Sequence, residues 1–162
     1  MTAAYANLGA ELQQPLTDFD NLSVDQKLAF LWFVYTKMGQ SVTPAAPGAA
    51  ETTIAEGLYN QVKELSHEEQ LQVQRDLFSG NSTPISRQYG SLSENTKLLF
   101  CYRLAQGMET TEIVPMPENY EMSEQEKQLL QRVEGLEFEQ QITFLRETVA
   151  GTGSAPHPGS GI

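Results

Sequence analysis

The chain has 162 residues, of which 40% are hydrophobic and 19% charged. That is enough apolar material for one folded domain with a real core. Its 21 acidic against 10 basic residues leave a formal net charge of −11, a balance that repels nucleic acid and anionic membrane surfaces. Cys101 is the one cysteine, so no disulfide forms within the chain, and the opening MTAAYANLGAELQQ lacks the regions of a secretion signal; a cytoplasmic protein is expected.

In chain order, residues 1–20 are Ala-, Leu- and Gln-rich and read as an N-terminal arm. Ser23, followed three residues later by Gln26, is a capping box that opens a helix over 24–38, and Gly39 stops it. Thr52 is the expected cap of a helix over 53–65, with Ile54, Leu58, Val62 and Leu65 on one face. Ser66 with Glu69 predicts a helix over 67–79 ended by Gly80, and Thr83 before Pro84 starts a short one. Ser93 begins a helix over 94–108, Ser123 with Glu126 another that ends near Gly135, and the last runs over 137–150. Residues 152–162 are a Gly/Ser/Pro tail with nothing to bury. No stretch alternates as a strand does, so the class is all-α.

The helix over 24–38 is the most apolar. Leu28, Leu31, Trp32, Tyr35 and Met38 recur at helical spacing, while Phe30, Phe33 and Val34 fill the opposite face. It is far shorter than the roughly 20 apolar residues a bilayer requires. It must therefore be buried in protein or against a ligand.

The two halves of the chain repeat one another. At an offset of 70, Leu22, Ser23, Lys27, Leu28, Phe30 and Met38 match Leu92, Ser93, Lys97, Leu98, Phe100 and Met108, with Tyr102 opposite Trp32. At an offset of 71, Leu58, Val62, Leu65, Gln70, Arg75 and Gly80 match Leu129, Val133, Leu136, Gln141, Arg146 and Gly151. Half-repeats over 22–80 and 92–151 predict two interleaved helical bundles related by a pseudo-twofold, together one domain over 21–151. An elongated cavity fits between two such halves.

Catalytic signatures are missing: there is no Gly-rich phosphate loop, no His-Glu-x-x-His and no G-x-S-x-G. Glu64 and His67 have the spacing of a helical metal pair, but the capping Ser66 between them breaks the helix. No enzyme and no metal site are expected, and Cys101 reads as a small buried hydrophobe. There remain Trp32, Tyr35 and Met38 on one helix, Tyr102 and Met108 on its mate, and Met116, Pro117 and Tyr120 beyond. Such a stripe is more often plain core than a cofactor box. The prolines that follow the aromatics in each half, and the symmetry of the halves, favour a pocket for a long ligand.

The strings LAFLWFVYTKMGQSVTPAAPGAA, TPISRQYGSLSENTKLLF, VPMPENY and QQITFLRETV resemble, in order over residues 20–150, the N-terminal helical domain of the orange carotenoid protein of cyanobacteria. With no second domain following, the chain is most similar to the helical carotenoid proteins, the stand-alone homologues of that domain. The resemblance implies a noncovalently bound keto-carotenoid: canthaxanthin, echinenone or hydroxyechinenone. Carried over by position, Leu28, Trp32, Tyr35, Met38 and Val42 line the channel from the first half. Leu98, Tyr102, Met108, Met116, Pro117, Tyr120 and Ile142 do so from the second, with Trp32 and Tyr102 flanking an end ring. Cys101 stands where the family usually has tryptophan, and Pro44 replaces a channel isoleucine. Arg146 matches an arginine that in the family holds the C-terminal domain and is implicated in docking to the phycobilisome antenna; otherwise it is a solvated helix arginine like Arg75.

Three functions follow. The first is a constitutive photoprotective protein whose carotenoid quenches singlet oxygen, without large photoconversion, and which also suits a carrier receiving pigment from a separate C-terminal-domain homologue, near the thylakoid surface. The second is quenching of phycobilisome excitation by direct docking, which the acidic surface disfavours. The third is a pigment-free helical interaction module whose aromatic stripe is merely core.

Overall fold

A computed structural model describes residues 9–38, 52–117 and 119–154, with the side chains of Met38 and Thr52 left aside. Among these residues eight helices and no strand are found: α1 (Ala10–Asp20), α2 (Val24–Met38), α3 (Thr52–Lys63), α4 (His67–Ser79), α5 (Pro84–Gly90), α6 (Glu94–Glu109), α7 (Glu124–Glu134) and α8 (Phe138–Ala150). The fold is all-α.

Local chemistry accounts for the helix ends. Ser23 and Gln26 exchange side-chain to backbone hydrogen bonds at the start of α2 (2.9 and 3.2 Å), and Ser66 with Glu69, Thr83 with Ser86, and Ser123 with Glu126 do the same for α4, α5 and α7. Each box satisfies amide groups that the first helical turn leaves without partners. Gly80 adopts φ +82° after α4, a left-handed conformation that favours glycine. α3 begins at Thr52 itself, one residue earlier than expected, so Thr52 lies in the first turn rather than before it.

The packing is interleaved. α2 packs on α4 as α6 packs on α8, and α3 crosses to α6 as α7 crosses to α2. Each half therefore completes its core with helices of the other. Equivalent hydrogen bonds recur 71 residues apart: the Gln70 Nε2 amide donates to the Val62 carbonyl (3.3 Å) and that of Gln141 to the Val133 carbonyl (3.0 Å). Phe19, Phe30 and Phe144, from α1, α2 and α8, form a triangle of rings with centroids 5.9 to 6.3 Å apart, tilted or edge-on as aromatic quadrupoles prefer.

The two ends of the described chain are more integrated than their composition suggests. The expected arm, residues 1–20, contains α1, whose Leu12, Leu16 and Phe19 are buried in the core against α7 and α8. At the other end, the first residues of the expected tail are held in place. Gly153, at φ +87°, donates its amide to the Leu77 carbonyl (2.7 Å), and Ser154 donates to the Ser86 carbonyl (3.1 Å). The Lys97 ammonium donates to the carbonyls of Ala150 and Thr152 at 2.9 and 3.0 Å, closing the C-terminus of α8. Backbone bonding thus fixes a segment that has no apolar side chain to anchor it.

Candidate ligand pocket

Three helices each contribute one stripe at i, i+3/i+4 spacing to a common cavity. α2 supplies Leu28, Leu31, Trp32 and Tyr35; α4 supplies Gln74, Leu77 and Phe78; α6 supplies Cys101, Leu104, Ala105 and Met108. The space between them is about 370 Å³, walled almost entirely by apolar atoms. Residues at this spacing share a helix face, so the pocket follows from where three faces meet.

Aromatic contacts set its shape. The Tyr35 and Tyr102 rings meet edge to face, centroids 6.0 Å apart and planes at 83°. Trp32 packs edge-on to Phe33 at 5.1 Å, and Phe33 in turn touches Tyr120 at 6.1 Å, so a line of rings runs from the pocket toward the segment before α7. Tyr120 donates its hydroxyl to the buried Glu126 carboxylate (2.8 Å), which also closes the capping box of α7.

Two polar atoms in this apolar wall stand out. The Trp32 indole N–H and the Tyr35 hydroxyl are buried and lack a hydrogen-bond partner within the described protein, a costly condition for a buried donor. Burial, and after it the nearby Cys101 thiol, pushes the Tyr35 hydroxyl well above its ordinary titration range. Burial also pushes the Cys101 thiol up to about 11, so it stays protonated at neutral pH. Its Sγ lies 3.6 Å from the Tyr89 hydroxyl, which is also 2.7 Å from the Thr152 hydroxyl. Neutral donors and hydrocarbon walls suit a long apolar molecule bearing an oxygen acceptor.

Of the expected site residues, Leu28, Trp32, Tyr35 and Met108 line the pocket. Leu98 is buried in the core and Tyr102 stands behind Tyr35, about 100° round α6 from Cys101. Trp32 and Tyr102, paired by the repeat, therefore do not both face this cavity; Tyr35 comes between. Met116, Tyr120 and Ile142 are half-buried, and Pro117 is exposed. Val42 and the Met38 side chain lie outside the described residues. Arg146 is half-buried on α8 beside Glu147, whereas its repeat mate Arg75 forms a two-point ion pair with Asp25 (2.9 and 3.2 Å).

The α4 wall, Gln74, Leu77 and Phe78, was not anticipated. The spacing in QVQRDLF signals a buried face, yet a buried face does not reveal what it looks onto. Among the described residues no three His, Cys, Asp or Glu side chains converge to hold a metal ion, and His67 opens α4 with its Nε2 3.2 Å from the Thr111 carbonyl oxygen. No helix among them is long and apolar enough to cross a membrane.

Comparison with known proteins agrees with this geometry. Residues 6–155 match the family model described as orange carotenoid protein, N-terminal. A Nostoc sp. PCC 7120 protein named as containing an orange carotenoid-binding domain is 51% identical over 148 residues, covering 91% of this chain and 86% of that one. The orange carotenoid-binding protein of Synechocystis sp. PCC 6803 is 39% identical over 135 residues; the alignment covers 83% of this chain but only 43% of that longer protein. Among solved structures, the red carotenoid protein of Anabaena (Nostoc) sp. PCC 7120 binding canthaxanthin superposes with a TM-score of 0.81 at 46% identity, covering 88% of this chain and 98% of that one. With three helices walling an apolar pocket and these relatives spanning nearly its whole length, the chain belongs to the orange carotenoid protein N-terminal family.

Proposed function

We propose that this chain binds one keto-carotenoid noncovalently, with an end ring between α2, α4 and α6, and uses it to quench singlet oxygen. The observation that carries this reading is the pocket itself: three apolar stripes converge on a cavity whose polar atoms are two unpartnered neutral donors. The residues present fit such a pigment. Leu28, Trp32, Tyr35 and Met108 would hold the ring, while Met38, Val42, Leu98, Tyr102, Met116, Pro117, Tyr120 and Ile142 would follow the polyene on either side.

The bound pigment would supply a low-lying triplet that accepts energy from singlet oxygen and releases it as heat; the protein's residues hold and orient the polyene and keep it out of water. Burying several hundred Å² of polyene contributes on the order of ten kcal/mol at about 25 cal/mol per Å², before ordering costs, so noncovalent retention is adequate. A carrier role uses the same pocket, with pigment received from a C-terminal-domain homologue on another chain.

Expression in a canthaxanthin-producing host tests the proposal. A broad, red-shifted carotenoid band in the purified protein, with faster decay of singlet-oxygen phosphorescence than in pigment-free protein, is the expected result. A colourless but folded helical protein would reduce the resemblance to fold alone and favour the interaction module.

A further inference from the structure

Resting on the pigment reading, we infer that the Tyr35 hydroxyl, assisted by the Trp32 indole N–H, selects a carotenoid whose end ring carries an oxygen acceptor over a hydrocarbon ring of the same shape. The hydroxyls of Tyr59, Tyr89 and Tyr120 all find partners inside the protein: Glu112 at 2.8 Å, Thr152 at 2.7 Å and Glu126 at 2.8 Å. Tyr35 is only 8% exposed, and its hydroxyl has no such partner. Trp32, one turn away on the same face of α2, repeats the pattern, and both residues line the one apolar pocket. Two orphan donors in one cavity are best explained by an acceptor that arrives with the ligand.

The local polar groups do not answer this need. The Cys101 sulfur beside Tyr35 is a weak acceptor and already neighbours the Tyr89 hydroxyl at 3.6 Å. The Gln74 side-chain amide, on the opposite wall, points its N–H at the Gln70 carbonyl of its own helix (3.5 Å). A ring carbonyl has two lone pairs and can accept from both donors; a hydrocarbon ring fills the same space but leaves them buried and unpaired. Tyr102 acts as a positioning residue, because its edge-to-face contact fixes the Tyr35 ring and thus the direction of the hydroxyl. Since burial keeps that hydroxyl protonated, the selection should persist across the neutral and mildly alkaline range.

The test is competitive loading of the pigment-free protein with equimolar canthaxanthin and β-carotene, using the wild type, Tyr35→Phe and Trp32→Phe, with folding of each checked by far-ultraviolet circular dichroism. The wild type should retain canthaxanthin in roughly tenfold excess, on the scale of one buried hydrogen bond. Tyr35→Phe should cut that excess about fivefold through loss of canthaxanthin alone, and should raise the ring carbonyl stretching frequency in resonance Raman spectra. Trp32→Phe, which keeps an aromatic ring but removes the N–H, should give a smaller loss in the same direction and preserves the test if Tyr35→Phe misfolds. A Tyr35→Phe protein with the wild-type ratio and carbonyl frequency overturns the inference. Wild-type protein that loads both pigments equally also overturns it while leaving the pigment reading intact, and protein that loads neither overturns both.

Discussion

Tyr35 of α2 and Tyr102 of α6 meet edge to face at 6.0 Å, and this single contact joins the two halves of the chain at the wall of the pocket. The repeat pairs Tyr102 with Trp32, but the packing pairs it with Tyr35, one helical turn further on. As a result Trp32 is left to face the cavity with Tyr35, and Tyr102 supports from behind.

Trp32→Ala should therefore remove a wall rather than a core residue. It deletes the large indole while leaving Leu31 and Val34 in the core, so helicity should be nearly unchanged. Carotenoid retention should fall roughly 30-fold or more, the equivalent of about 2 kcal/mol. Visible absorbance per mole of protein after gel filtration measures it; undiminished colour would move the ring-binding site elsewhere.

Gln70 and Gln141 occupy matched places but differ in burial and bonding. The Gln70 amide also donates to the Leu65 and Glu112 carbonyls at 3.2 and 3.0 Å and accepts from the Val114 amide at 2.8 Å, tying the turn before α4 to the segment after α6. Gln141 is half-buried and stays within its own turn. Gln70→Ala should cost about 3 kcal/mol and lower Tm by roughly 6–12 °C, against about 1 kcal/mol for Gln141→Ala. Equal losses in thermal unfolding would refute the asymmetry.

Alkaline pH should destabilise the fold. Burial raises Cys101 to about 11 from an ordinary value of 9.0, and it raises Tyr59 and Tyr120 to about 12 from 10.0. Groups raised in the folded state hold their protons more tightly there, so their contribution is complete below the unfolded value and is lost as pH climbs through the folded one. Stability should be level up to about pH 8 and fall between pH 9 and 11. Cys101→Ala should flatten the lower part of that fall by on the order of 2 kcal/mol. Denaturant midpoints across this range provide the check, and slow alkylation of the native thiol by iodoacetamide is expected beside it.

Gly90 tests the held C-terminal segment. Alanine in a helix ordinarily stabilises by up to about 1 kcal/mol relative to glycine, but a Cβ at Gly90 would overlap the Ser154 carbonyl. Gly90→Ala should instead destabilise by roughly 1–3 kcal/mol, and it should speed exchange of the Gly153 amide, now bonded to Leu77. A gain in Tm would show that residues 152–154 add little to the fold.

The helices themselves were legible in the sequence because their signals are local. Ser23 with Gln26, Ser66 with Glu69 and Ser123 with Glu126 act within one turn, and a face such as Leu28–Trp32–Tyr35 is set by 3.6-residue periodicity alone. Resemblance to a known family added the pigment and four of the pocket's walls, Leu28, Trp32, Tyr35 and Met108. Periodicity could say that Leu77 and Phe78 are buried, but it is silent on what a buried face meets.

Tertiary structure decided the rest, since those choices depend on residues far apart in the chain. It brought α4 against α2 and α6 as the third wall, turned Tyr35 rather than Trp32 onto Tyr102, and buried α1, whose composition had suggested a peripheral arm. It also held residues 152–154 through backbone amides, which carry no side-chain signature to read. Above all, it left Trp32 and Tyr35 with unpartnered donors in an apolar cavity. A sequence names every donor it contains, but only the packed structure determines which of them find an acceptor.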